Sequence, residues 1–109
     1  MGTTGLETAF AALNTFLVAP GVLSLGLVVE RMTAGGAAFG LPEPRIAPGE
    51  PANLALVSLE RAWQPIEAGY ESRSENCCFH ERELRGRVLM TVAAGAIAYR
   101  ERSFALSAA

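Results

Sequence analysis

Apolar residues in the first third of the chain recur at helical spacing. Leu6, Phe10, Leu13 and Leu17 fall at i, i+4, i+7 and i+11, one stripe on a helix. Thr4-Gly5-Leu6-Glu7 has the Thr-x-x-Glu spacing of a capping box, in which each side chain takes the other residue's amide. Pro20-Gly21 ends the pattern, which predicts a helix over about residues 5–18. Ser24 then suits the N-cap of a second helix, with Leu25, Val28, Val29 and Met32 on one face. Gly26 inside it costs on the order of 1 kcal/mol relative to alanine. Gly35-Gly36 interrupts the period, and Ala37-Ala38-Phe39 predicts one more short turn before Gly40.

From Pro42 the helical period is gone. Pro42, Pro44, Pro48 and Pro51 with Gly49 make an extended, turn-rich passage, with a short strand expected around Arg45–Ala47. Asn53–Ser58 predicts the first clear strand. Ala62–Ile66, with Trp63, predicts a second that Pro65 limits to an edge or a strand end. Residues 68–83 carry Gly, Ser, Asn and charges without a period and read as loop. Gly86–Tyr99 organises the rest: two β-prone apolar runs flank Gly95, which is free to take the positive φ of a tight hairpin turn. A run apolar at nearly every position wants cover on both faces, so the hairpin belongs in a larger sheet, with Asn53–Ser58 its natural neighbour. Ser103–Ala109 reads as a mobile tail.

These elements predict an α+β chain: a helical segment over 1–41, a small β segment over 42–102 and a tail. Two amphipathic helices and a few short strands have many apolar faces to cover, and 109 residues supply little core. The domain therefore reads as incomplete, marginally stable alone and prone to self-association.

Charge removes several function classes. The net charge is −2, which argues against nucleic acid as a partner. Arg82, Arg85 and Arg87 alternate with Glu81 and Glu83, the pattern of a solvated strand edge. All nine basic residues are Arg and all eleven acids are Glu. With neither Lys nor Asp, the chain cannot supply a Schiff-base or carboxylated lysine, or an aspartate base. The longest apolar run, Phe16–Val29, contains Pro20-Gly21 and is too short to span a bilayer, so no membrane association is expected. Adjacent Cys77 and Cys78 make no disulfide framework, and no secretory signal opens the sequence, which points to a reducing cytoplasm.

Candidate chemistry is sparse. Cys77-Cys78-x-His80 has the residue types of a soft metal site but neither four ligands nor the usual cysteine spacing. The same residues fail as a Cys–His nucleophile pair, because no Asp is present to orient the histidine, although Asn76 is near in sequence. Glu71 and Glu75 read as surface glutamates. Thr3-Thr4-Gly5 offers no more to an anion than a generic helix N-terminus.

Several motifs nevertheless occur in a telling order: Gly2-Thr-Thr-Gly-Leu-Glu-Thr-Ala9, Phe39-Gly40-Leu41 after a Leu-Ser-Leu…Met-Thr helix, and Arg45-Ile46…Gly49…Ala52-Asn53-Leu54. Ser74-x-Asn76-x-x-Phe79 and Leu84-x-Gly86-x-Val88-x-x-Thr91-x-x-x-Gly95-x-Ile97-x-Tyr99 follow. Together they resemble the C-terminal end of the class I dihydroorotases of the amidohydrolase superfamily. The resemblance implies a TIM-type (β/α)8 barrel beside a composite β-domain built from both chain ends. Residues 5–33 would be the last barrel helices and residues 44–100 part of the β-domain. It implies reversible hydrolysis of dihydroorotate to carbamoyl-aspartate in pyrimidine synthesis. The family's binuclear zinc site uses a His-x-His pair, a carboxylated lysine, two further histidines and an aspartate, and no position here matches any of them.

Gly2 matches a family glycine whose backbone touches substrate, and Met1 stands where the family has phenylalanine, as if the chain began inside a parental reading frame. Gly35-Gly36-Ala37 replaces the usual Asn-Pro-Ala, Ala52-Asn53 the usual Ala-Asp, and Cys77-Cys78 the usual Thr-Pro. The chain is thus expected to be catalytically silent alone, with no metal site. Its expected partners are an upstream barrel half, an active dihydroorotase or aspartate carbamoyltransferase.

Overall fold

A computed structural model describes residues 3–42, 45–101 and 104. The elements are α1 (Ala9–Leu13), continued as a π-helical turn over Asn14–Val18, and α2 (Leu25–Thr33), continued as a 3-10 turn over Ala34–Phe39. After them come β1 (Leu54–Trp63), the short α3 (Pro65–Ala68), β2 (Leu84–Ala93) and β3 (Ala96–Arg100). The strands form one sheet in the order β1–β2–β3, so the chain is a small mixed helix-and-sheet structure. It divides into two compact units, Met1–Val28 with Leu59–Arg87 and Val29–Ser58 with Val88–Ala109; α2, β1 and β2 each run from one into the other.

In the first unit the helix starts later than the stripe predicts, at Ala9 rather than residue 5. The expected capping box does not form: the Thr8 N-cap makes no side-chain cap bond, and Glu7 is engaged elsewhere. Leu6, ahead of the helix, is 92 % exposed. The buried positions are Thr8, Ala11 and Asn14, a face of small and polar residues rather than the leucine stripe. That face packs on Gly86 of β2. A Cβ at Gly86 would lie 3.2 Å from Asn14 Nδ2 and 3.7 Å from the Ala11 Cα, and Gly86 has φ +111°. The positive φ favours glycine there, and a Cβ would also press on the Asn14 amide by a few tenths of an ångström.

Asn14 fills that contact with hydrogen bonds. Its amide donates to the backbone oxygens of Leu59 (3.0 Å) and Arg85 (2.9 Å), tying the helix to β1 and β2. The widened π turn lets Thr15 join it: the Thr15 hydroxyl accepts from the Arg85 amide at 2.7 Å. Trp63 Nε1 donates to the Gly86 oxygen at 2.8 Å, and the Arg87 guanidinium lies 4.5 Å over the Trp63 ring. Arg82 likewise covers Phe16, which stacks on Phe79 at 5.8 Å. Two arginines of the alternating run are therefore spread over aromatic rings instead of standing free at a strand edge.

The expected break between two strands at residues 59–61 is also absent. β1 runs unbroken for ten residues to Trp63. Pro65, fully buried, then opens α3 at its first turn, where its fixed φ and missing amide cost nothing. Residues 69–83 contain no helix or strand, as their composition predicts.

In the second unit the 3-10 turn passes through Gly35-Gly36 and is closed by left-handed Gly40, φ +77°. Arg45–Ala47 forms no strand; prolines on both sides leave no run of free amides to pair. The hairpin forms where expected, with β2 and β3 antiparallel and a two-residue turn at Ala94 (φ 50°) and Gly95 (φ 81°). Pairs Thr91↔Tyr99 and Val92↔Ile97 leave Ala98 as the extra residue of a bulge. Asn53 Oδ1 accepts the Ala94 amide at 2.8 Å and the Ala52 oxygen accepts the Gly95 amide at 3.0 Å, docking the turn on the residues that lead into β1.

The hairpin is not enclosed as its composition predicts. β3 is the sheet edge and all five of its residues are exposed, Ile97 at 53 %. In α2 only Val28 of the predicted stripe is buried. Among the described residues the buried apolar side chains are Ala11, Val28, Cys77, Leu84 and Pro65. The expected Ser103–Ala109 tail lies outside the described residues except for Phe104. No helix among the described residues is long and apolar enough to cross a membrane.

Candidate functional site

The densest polar arrangement in the first unit joins residues 3–8 to residues 70–80. Glu7 is its centre. Its Oε2 accepts the Glu71 amide at 2.8 Å, and its Oε1 accepts the Ser72 amide at 2.9 Å and the Ser72 hydroxyl. The Ser72 hydroxyl, followed by the Glu71 amide, holds the Glu7 carboxyl below the usual glutamate range. Nearer the chain start, the Thr4 amide donates to the Asn76 oxygen and the Cys78 amide donates to Thr3 Oγ1, each at 2.7 Å.

The three residues singled out as metal or nucleophile candidates do not assemble into either. Cys77 is buried with Sγ 4.0 Å from the Thr8 hydroxyl, whereas Cys78 is exposed. His80 Nδ1 shares a 2.7 Å hydrogen bond with the Tyr70 hydroxyl, and the two rings stack at 5.7 Å. Burial first, then the Cys77 thiol beside it, pushes the Tyr70 phenol up to about 12. Glu71 and Glu75 are both exposed, and Glu71 contributes its backbone amide, not its carboxylate. Gly2, the expected substrate contact, lies outside the described residues.

Among the described residues no three His, Cys, Asp or Glu side chains converge as metal ligands. The donor set does not fit a binuclear zinc centre: the whole sequence holds one histidine, already bonded to Tyr70, and neither lysine nor aspartate. What the arrangement does chemically is hold backbone in place. Two residues of this framework, Asn14 and Gly86, carry more structure than their sequence context suggests. A lone asparagine amid apolar helical positions, and a glycine opening a β-prone run, were the available signals.

Comparison with known proteins gives a consistent answer. The dihydroorotase of Streptomyces coelicolor is 41 % identical over 95 residues, 84 % of this chain. That of Lactobacillus leichmannii is 36 % identical over 105 residues, 95 % of the chain, and that of Bacillus subtilis 36 % over 101 residues, 92 % of it. The chain belongs to the dihydroorotase family. It spans about a quarter of these relatives: 22 %, 25 % and 24 % of their lengths, in the same order. No family-level sequence profile matches the chain. Asn53, one of the departures from the family pattern expected from the sequence, has its Oδ1 accept the Ala94 amide.

Proposed function

We propose that this chain is the C-terminal portion of a dihydroorotase and takes no catalytic step by itself. In a complete enzyme, cyclic amide hydrolysis of dihydroorotate to carbamoyl-aspartate, a step of pyrimidine synthesis in the cytoplasm, would proceed on zinc held by the other portion. On this reading residues 1–41 are the last helices of a TIM-type barrel, residues 42–102 belong to its small β-domain, and the Gly2 backbone touches substrate. The observation that carries the reading is the family match over most of this chain but only a quarter of its relatives, joined to a sequence with one histidine and no lysine or aspartate. Purified chain with zinc should not turn over dihydroorotate, and activity should appear only with the product of a preceding reading frame. Zinc-dependent turnover by the chain unaided would overturn the proposal.

A second reading is favoured by the uncovered apolar side chains of the second unit, among them Ile97, Ile46 and Phe39. A non-catalytic subunit docking on an active dihydroorotase or on aspartate carbamoyltransferase would cover such residues. Co-purification with either enzyme supports it; a monodisperse monomer that binds neither speaks against it.

A further inference from the structure

Residues 71–76 cross the opening segment of the chain, and the described contacts that hold them there are polar. None is among the buried apolar side chains. They are held at one end by the Glu7 carboxylate, through the Glu71 and Ser72 amides and the Ser72 hydroxyl. At the other end the Asn76 oxygen accepts the Thr4 amide. The flanks are anchored separately. Tyr70 is fixed by His80, whose backbone oxygen also accepts the Ile66 amide at 2.9 Å, and Cys77 is buried against Thr8.

We propose that residues 71–76 form a strap that opens and closes over Thr3–Thr8 as one unit, latched by Glu7, while the Asn14–Gly86 packing beneath stays formed. A segment held mainly by exposed hydrogen bonds between two anchored ends opens locally at much lower cost than the core around it. A carboxylate is the right latch: it offers acceptors to three converging donors, whereas an amide at that position turns an NH2 group toward one of them. Joined to the dihydroorotase reading, the strap stiffens the backbone just after the substrate-contacting Gly2. The strap itself stands without that reading.

Amide hydrogen exchange on the full chain tests it, comparing the unmodified protein with Glu7→Gln, and with Ser72→Ala as the milder variant. Losing the charged latch should speed exchange at Glu71 and Ser72 by on the order of tenfold or more. The Thr4 amide, bonded at the far end of the strap, should accelerate with them, while Ala12 and Gly95 keep their protection. Faster exchange at Glu71 and Ser72 with Thr4 unchanged would show independent bonds and overturn the unit. Equal acceleration throughout would place Glu7 in the global core and overturn the latch. Neither result bears on whether the chain turns over dihydroorotate.

Discussion

Gly86 is the residue where sequence, packing and conformation meet most tightly. Its φ of +111° disfavours any side chain, and a Cβ there would lie 3.2 Å from the Asn14 amide, which would have to shift slightly. Gly86→Ala should cost roughly 1–3 kcal/mol, from the backbone strain together with the displaced Asn14 amide. Urea unfolding followed by Trp63 fluorescence reads this directly, since the Trp63 indole donates to the Gly86 oxygen. Ala94 is the opposite case, a side chain where the turn prefers none. Both central turn residues have positive φ, and Asn-Gly suits that geometry better than Ala94-Gly95. Ala94→Asn should therefore stabilise by up to about 1 kcal/mol, seen as a higher urea midpoint with unchanged slope.

At the scale of elements, the parts that could be read were those whose causes are local. The second helix begins where Ser24 caps it, its hydroxyl accepting the Leu27 amide at 3.1 Å, and the hairpin turns where Gly95 permits. The start of the first helix could not be placed from its own residues, although its end near residue 18 could. Glu7 satisfies the capping-box spacing, yet its donors come from Glu71 and Ser72, 64 and 65 residues away. Distant bonds of that kind leave no local trace. The same holds for the candidate site: Cys77, Cys78 and His80 lie within four residues of sequence, but burial sends one cysteine inward and hydrogen bonding commits the histidine to Tyr70.

These bonds predict a pH dependence. Glu7 has a depressed carboxyl, so the folded state binds its proton less readily than the unfolded chain. Its contribution is present above about 4.5 and is lost as pH falls through the folded value. It is small, because the group is exposed and screened. Tyr70 acts in the other direction: with its phenol raised from 10.0 to about 12, stability declines as pH rises across that interval. Denaturation midpoints measured against pH should show both limbs, and Tyr70→Phe should flatten the alkaline one.

Among the described residues of the molecule as a whole, large apolar side chains are more numerous at the surface than in the core. Leu6, Val22, Leu41 and Ile46 are each more than half exposed, whereas the buried apolar set among the described residues is short. Half of the 109-residue sequence is hydrophobic, and part of the surface left open is apolar. Sedimentation across a concentration series should show self-association; a monomer with a sharp melt at high temperature would mean that the core suffices. The first unit is built from chain on both sides of residues 29–58, and Asn14 bonds across that gap to Leu59 and Arg85. A protease nick in the exposed passage at residues 45–51 should therefore yield two peptides that migrate together on a native gel and part only in detergent.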